Sequence, residues 1–149
     1  MPATTAGPLL TTFSFCVEVD GVNLGVFKEC SGVDSETETI EHKEVTKEGK
    51  MIIRKLPGAM KWADITLKKS IDSGKDLWLW RKEVEDGAID DARRNGSIVL
   101  YDSTHKEIAR WNFFSGWPSK WKGADLNAGE NNVAVEEVTV THEGLVREK

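Results

Sequence analysis

The sequence predicts an α+β protein, mainly an antiparallel β-sandwich or barrel with one flanking α-helix. Three observations point there. Short runs that alternate apolar and polar side chains recur along most of the chain, each bounded by Gly, Asp, Asn or Pro. One segment near the middle carries apolar residues at helical spacing instead. The length, 149 residues with 39% apolar content, suits a single domain with a full core.

Residues 1–9, rich in Ala, Thr, Gly and Pro, read as a flexible N-terminal arm, and 10–149 as the single domain. In "TFSFCVEV", Phe13, Phe15, Val17 and Val19 alternate with Thr12, Ser14, Cys16 and Glu18, the pattern of a half-buried strand. Asp20-Gly21 marks a turn, and "VNLGVFKEC" supplies the return strand. From Ser35 to Thr46 the strand-like alternation continues almost without an apolar face. Such a strand belongs in wet surroundings or waits for a partner. "IIRKLPG" follows and is predicted to stop at Pro57-Gly58, after which "MKWADITLKKS" supplies another strand.

The helix is predicted in "SIDSGKDLWLWRKEVEDG". Ser73 stands as N-cap with Asp76 three residues on, Leu77, Trp80 and Val84 share one face, and Gly87 ends it. "SIVLYD", "EIARWNFFSGW" and "VAVEEVTVTHEG" are the remaining strands, with "KGADLNAGENN" as a long loop before the last.

Composition excludes several function classes. Net charge is −5 with Lys and Arg scattered, unlike the basic face of a nucleic-acid binder. No apolar run approaches the roughly 18 residues of a membrane span. The start, "MPATTAGPLLTTF", lacks the basic and apolar regions of a secretion signal, so synthesis in the cytoplasm is expected. Cys16 and Cys30 are too few for a thiolate zinc site and read as reduced, buried thiols. His42, His105 and His142 lie far apart, and no phosphate-binding loop, dinucleotide fingerprint or nucleophile elbow occurs. Asp90-Asp91 and Glu136-Glu137 are adjacent, but strand neighbours point to opposite faces, so they read as solvated carboxylates. The sequence therefore predicts no catalytic residue, no metal and no cofactor.

Two stretches remain. "RWNFFSGWPSKW" places Trp111, Trp117 and Trp121 within twelve positions. They suit a sugar-binding platform on a monomeric β-module, an intrachain core, or a core that continues into a subunit contact. Trp111 and Phe113 fall on one strand face and Phe114 on the other, which favours the third. "TKEGKMIIRKLPG" carries Met51, Ile52 and Ile53 in a row beside a Gly turn. Three consecutive apolar residues cannot all face one core. Left exposed they would make a sticky edge, and the other reading is that Ile52 and Ile53 belong to the protomer's own core.

In order and spacing, "ECSGV" (29–33), "KLPG" (55–58), "ITLKKS" (65–70), "GWPSKWKG" (116–123) and "VAVEEVTVTHEGL" (133–145) resemble the inner tube protein of contractile phage tails and phage-like extracellular injection systems. The resemblance runs from about Phe13 to Leu145. Ser70 departs from it, standing where that family usually has a glycine. The resemblance implies a non-catalytic protomer of tail-tube fold. It would form hexameric rings that stack into a hollow tube inside a contractile sheath, with baseplate, hub and terminator proteins as partners and a cargo protein in the lumen. Assembly in the bacterial cytoplasm, then residence in a phage tail or a released particle, is implied as well. The related type VI secretion tube protein is the alternative. On this basis Met51, Ile52, Ile53, Trp117 and Trp121 are candidates for contacts between protomers, with 46–58 as an extended hairpin or loop. Glu36, Glu38 and Glu41 are candidates for lining the lumen.

Overall fold

A computed structural model describes residues 13–20, 22–71, 73–124 and 134–149. The predicted N-terminal arm and most of the loop at 122–132 lie outside the described residues. The strands are β1 Ser14–Val19, β2 Val22–Val26, β3 Glu29–Ser31, β4 Ser35–Val45, β5 Met51–Trp62 and β6 Ile65–Ser70. After them come α1 Asp76–Glu85, α2 Ile89–Ala92, β7 Arg94–Tyr101, β8 Glu107–Lys122, β9 Val135–Thr141 and β10 Gly144–Arg147. Eight strands make one antiparallel sheet in the order β2-β1-β7-β8-β9-β6-β3, with β10 also on β8. Among the described residues the pairing stays open between β2 and β3, so the sheet folds over itself and does not close into a barrel.

The fold-over happens within β8. Its 16 residues serve two layers: the first part pairs with β7 and β10, the last with β9. Ser115 makes the corner with φ 52, a left-handed conformation costly for a residue with a Cβ. Asn95 Oδ1 accepts a 3.1 Å hydrogen bond from the Ser115 amide and holds it there. Just before the corner, Phe113 turns its ring into the core at 1% exposure. Space for that ring depends on two glycines. A Cβ on Gly116 would stand 2.6 Å from the ring, and one on Gly96 would meet both the ring and the Glu18 carbonyl oxygen.

Around Phe113 the core gathers Val17, Val19, Ile65, Leu67, Ile98, Val138 and Val140, the inward positions that the two-residue period predicts. Leu77 and Trp80 of α1 join them, with Val84 packed alongside. Trp80 Nε1 donates to the Ala92 carbonyl at 2.8 Å, tying α1 to the short α2. Arg81 donates to the Pro118 carbonyl at 2.9 Å, tying α1 to β8.

Several expectations need correction. The capping residue of α1 is Lys75, without any side-chain cap, and Ser73 lies outside the helix because the chain is not yet helical there. Pro57-Gly58 does not end a strand: β5 runs through it, absorbing one extra residue as a bulge opposite Thr37 and Thr39. Glu136 is not solvated. It lies 6% exposed with Lys69, 3.6 Å away, and accepts from Trp121 Nε1 at 3.2 Å. Cys16 and Cys30 are free thiols, half-buried rather than fully buried. Ser70 keeps ordinary extended pairing with Val135, so its departure from glycine carries no strain.

On the sheet's outer surface, Arg110 reaches Glu107 at 2.8 Å and Glu18 at 3.0 Å, stitching β8 to β1 across β7. The β7–β8 turn is fixed by Asp102, whose carboxylate accepts from the Thr104 hydroxyl and from the amides of Thr104 and Lys106. These hydrogen bonds, the Thr104 hydroxyl's first, hold its pKa below the ordinary carboxylate value.

Phe113→Ala should cost about 3–5 kcal/mol in chemical denaturation, because the corner cannot collapse onto the vacated space. A loss under 1 kcal/mol would show that the ring is not the keystone of the corner. The lowered pKa of Asp102 means that its contribution is present at neutral pH and lost as the carboxyl protonates in acid. Hydrogen exchange at Thr104 and Lys106 should therefore accelerate on acidification relative to the rest of the sheet. Asp102→Asn should remove that pH dependence.

Candidate functional site: the detached hairpin

β4 and β5 form a two-stranded sheet of their own and make no substantial packing contact with any other element among the described residues. The polar alternation, which suited a strand in wet surroundings or one that waits for a partner, is the physical reason. With hardly any apolar side chains to bury, β4 has no reason to join the core. Its turn is closed by the Thr46 amide donating to the Lys50 carbonyl at 2.8 Å, and by the Lys50 amide donating to Thr46 Oγ1 at 3.1 Å. Twelve residues of β5 at about 3.3 Å each give an arm of roughly 35–40 Å.

The base is anchored. Gly32, at φ 88, lets the chain leave β3 against the Asp64 carbonyl, where any Cβ would collide. The Ala63 amide donates to the Asp34 carbonyl at 3.4 Å, closing the two legs. His142 then bridges the base to the sandwich. Its Nε2 is 3.0 Å from the Ala63 carbonyl oxygen, its Nδ1 3.1 Å from that of Gly144, and its ring lies between Trp62 and Phe113.

Register assigns the faces. On one, Val45 opposes Met51, Lys43 opposes Ile53 and Glu41 opposes Lys55. On the other, Glu44 opposes Ile52, His42 opposes Arg54, Ile40 opposes Leu56 and Glu36 opposes Lys61. Glu36 and Glu38 thus share a face, and Glu41 points to the opposite one. Met51 and Ile53 are likewise on the face opposite to Ile52. None of the three belongs to the core: Met51 is 64% exposed and Ile53 55%, next to Val45 at 70%. Val45, Ile40, Leu56 and Met60, all exposed, extend this apolar surface and were missed from the sequence. Reading Thr46–Lys50 as a hairpin turn would have placed Val45 opposite Met51.

The tryptophans answer differently. Trp111, Trp117 and Trp121 are half-buried and packed on the protomer's own core, with Trp121 edge-on to Trp78 at 5.0 Å. Phe114, the last residue before the corner, does face outward at 41% exposure, on the same side of the ladder as Val146. The thiol of Cys30, in a shallow hollow with Lys28, Glu29, Lys68 and Glu137, is pushed up to about 11 by burial and is a poor nucleophile.

An open β-sandwich with a flanking helix and a long projecting hairpin is the class that this geometry defines. The chain belongs to the T4-like virus tail tube protein gp19 family, whose pattern it matches over residues 11–146. Solved structures share the fold. A chain of the PVC sheath–tube complex, an extracellular contractile injection system in the extended state, is 21% identical with a TM-score of 0.71, over 98% of this chain and 93% of that one. A chain of the anti-feeding prophage baseplate is 17% identical with a TM-score of 0.75, over 96% and 97%. Hcp1 from Flavobacterium johnsoniae is 12% identical with a TM-score of 0.56, over 91% and 94%. A comparison with curated protein sequences found no match.

Since Ile53 touches no core residue, Ile53→Asp should leave the protomer's thermal unfolding cooperative and its stability within about 0.5 kcal/mol of wild type. A molten or aggregated variant by circular dichroism would return Ile53 to the protomer's interior.

Proposed function

We propose that this chain is a structural, non-catalytic subunit of the hollow inner tube of a contractile tail or injection particle. Copies stack as hexameric rings inside a contractile sheath, between baseplate and terminator proteins, and deliver cargo across a target envelope. The observation that carries this reading is the detached hairpin. A protomer whose sandwich is complete without it still presents a long arm with exposed apolar residues on both faces, a liability in a monomer and an assembly device in a polymer. Family membership and the likeness to chains from injection-system particles support it. No helix among the described residues is long and apolar enough to cross a membrane.

In such a tube one face of the hairpin meets the lumen. The face with Glu36, Glu38, His42, Arg54 and Lys61 is the more polar and suits it. Glu41 then looks outward, and Met51 and Ile53 meet neighbouring protomers. The type VI secretion tube is the related reading. It is the weaker one, because the Hcp chains overlay at TM-scores of 0.51–0.56 and a type six secretion system protein at 0.61, against 0.71–0.75 for the injection-system chains.

Purified protein, or protein co-expressed with sheath and baseplate partners, should give rings or tubes in negative-stain microscopy. A chain that stays monomeric with those partners present sinks the proposal. Quenching of tryptophan fluorescence by oligosaccharides without self-association would favour a carbohydrate-binding module instead.

A further inference from the structure

His142 is a buried titratable side chain, 8% exposed, in the turn between β9 and β10. Its two ring nitrogens meet two backbone carbonyls. Nε2 stands 3.0 Å from the Ala63 oxygen and Nδ1 3.1 Å from the Gly144 oxygen. A carbonyl oxygen only accepts. A neutral imidazole has one N–H to donate and one lone pair, so it satisfies one of these oxygens and turns its lone pair on the other. In a buried place that contact is repulsive and has no water to relieve it. Only the imidazolium, with a proton on each nitrogen, bonds to both.

The surroundings suit a cation. The Trp62 and Phe113 rings have centroids 6.0 and 6.4 Å away, close to the range at which an aromatic ring attracts positive charge. On the elements packed around His142, the charged groups nearest along the chain are Asp34, Lys61, Asp64 and Glu143. All four are exposed, and Lys61 reaches to Glu38 at 3.9 Å. Among the described residues the two carbonyls are the ring's hydrogen-bond partners.

We propose that His142 is a doubly protonated pin that ties the base of the hairpin to the sandwich, and that loss of one proton releases it. The two bonds are not equivalent. Gly144 is two residues away in the same turn, whereas Ala63 is 79 residues away, where the chain leaves β5 for β6. When one proton goes, the local bond stays and the bond across the fold is lost. The 3.4 Å bond from the Ala63 amide to the Asp34 carbonyl remains, but it joins the two legs to each other and not to the sandwich. The sign follows from the charge. The tie is present while the ring is an imidazolium and is lost as rising pH removes its second proton. The pin belongs to the protomer. Its use, fixing the direction of the arm before copies meet, rests on the assembly reading above.

Nitrogen-15 NMR of the full chain across a pH series reads the ring directly, with His105, exposed in the β7–β8 turn, as the control. The signals of two protonated His142 nitrogens and the protection of the Ala63 amide should disappear together. Exchange at Ala63, corrected for its intrinsic rate, should then quicken about tenfold relative to Val138 and Val140 in the sandwich. A singly protonated ring with Ala63 still protected overturns the proposal. His142→Gln carries its donors on one nitrogen and cannot reach both carbonyls, so its Ala63 protection should be low at every pH while exchange in the core is unchanged. A variant that keeps the wild-type pH step shows that another group carries it, and overturns the proposal as well. If the variant does not fold, the wild-type series decides alone. A pinned hairpin in a chain that never forms rings or tubes leaves the pin standing and sinks the tube reading. Tubes built from a chain whose ring is singly protonated and whose Ala63 stays protected do the reverse.

Discussion

The corner of β8 is the constraint on which the rest of the protomer depends. A strand that passes from one layer of a sandwich to the other must turn without giving up its ladder, and Ser115 does so by adopting a conformation that residues with a Cβ avoid. Phe113 is the reason that it holds. Seated against two positions where no side chain exists, the ring fills the fold of the corner and contacts both layers' interior. The helix then lies on the second half of β8, and the C-terminal strand lies on the first half. The base of the hairpin hangs on the same end through His142, whose ring stands between Phe113 and Trp62. The corner therefore sets where the arm leaves the body.

Much of this was legible in the sequence, for a local reason. In β1, β6 and β9 the two-residue period marks which side chains are inside, because one face meets a core and the other does not. The helix face of Leu77, Trp80 and Val84 was readable on the same principle. Where the reading failed, distant residues decided. Ser73 has good capping chemistry, but the chain enters the helix two residues later. Pro57-Gly58 ordinarily ends a strand, yet in a hairpin with free edges a missing amide and one extra residue are accommodated as a bulge. Glu136 looked like surface until the fold brought Lys69 and Trp121 to it.

Exposure without a core explains why the candidate contact residues could be named but not sorted. The row Met51, Ile52, Ile53 signals that something apolar needs covering, whereas only the register against β4 shows that it lies on two faces. The tryptophans carried the opposite ambiguity. Their density suited a core that continues into a subunit contact, and the core half is what the protomer displays: all three rings pack on it, with Trp121 edge-on to Trp78 of α1. Burial of a ring in part and exposure of an isoleucine in full cannot be told apart from residue type alone.

The hairpin's independence from the core also separates two kinds of selection. Substitutions in Phe113 or Val140 are filtered by whether the protomer exists at all, and the filter is the same in any cell. Substitutions along β4 and β5 spare that core, and in the assembly proposed above they are filtered only in the presence of other copies. Under that proposal a lineage can drift in how its subunits recognise one another while its body stays fixed.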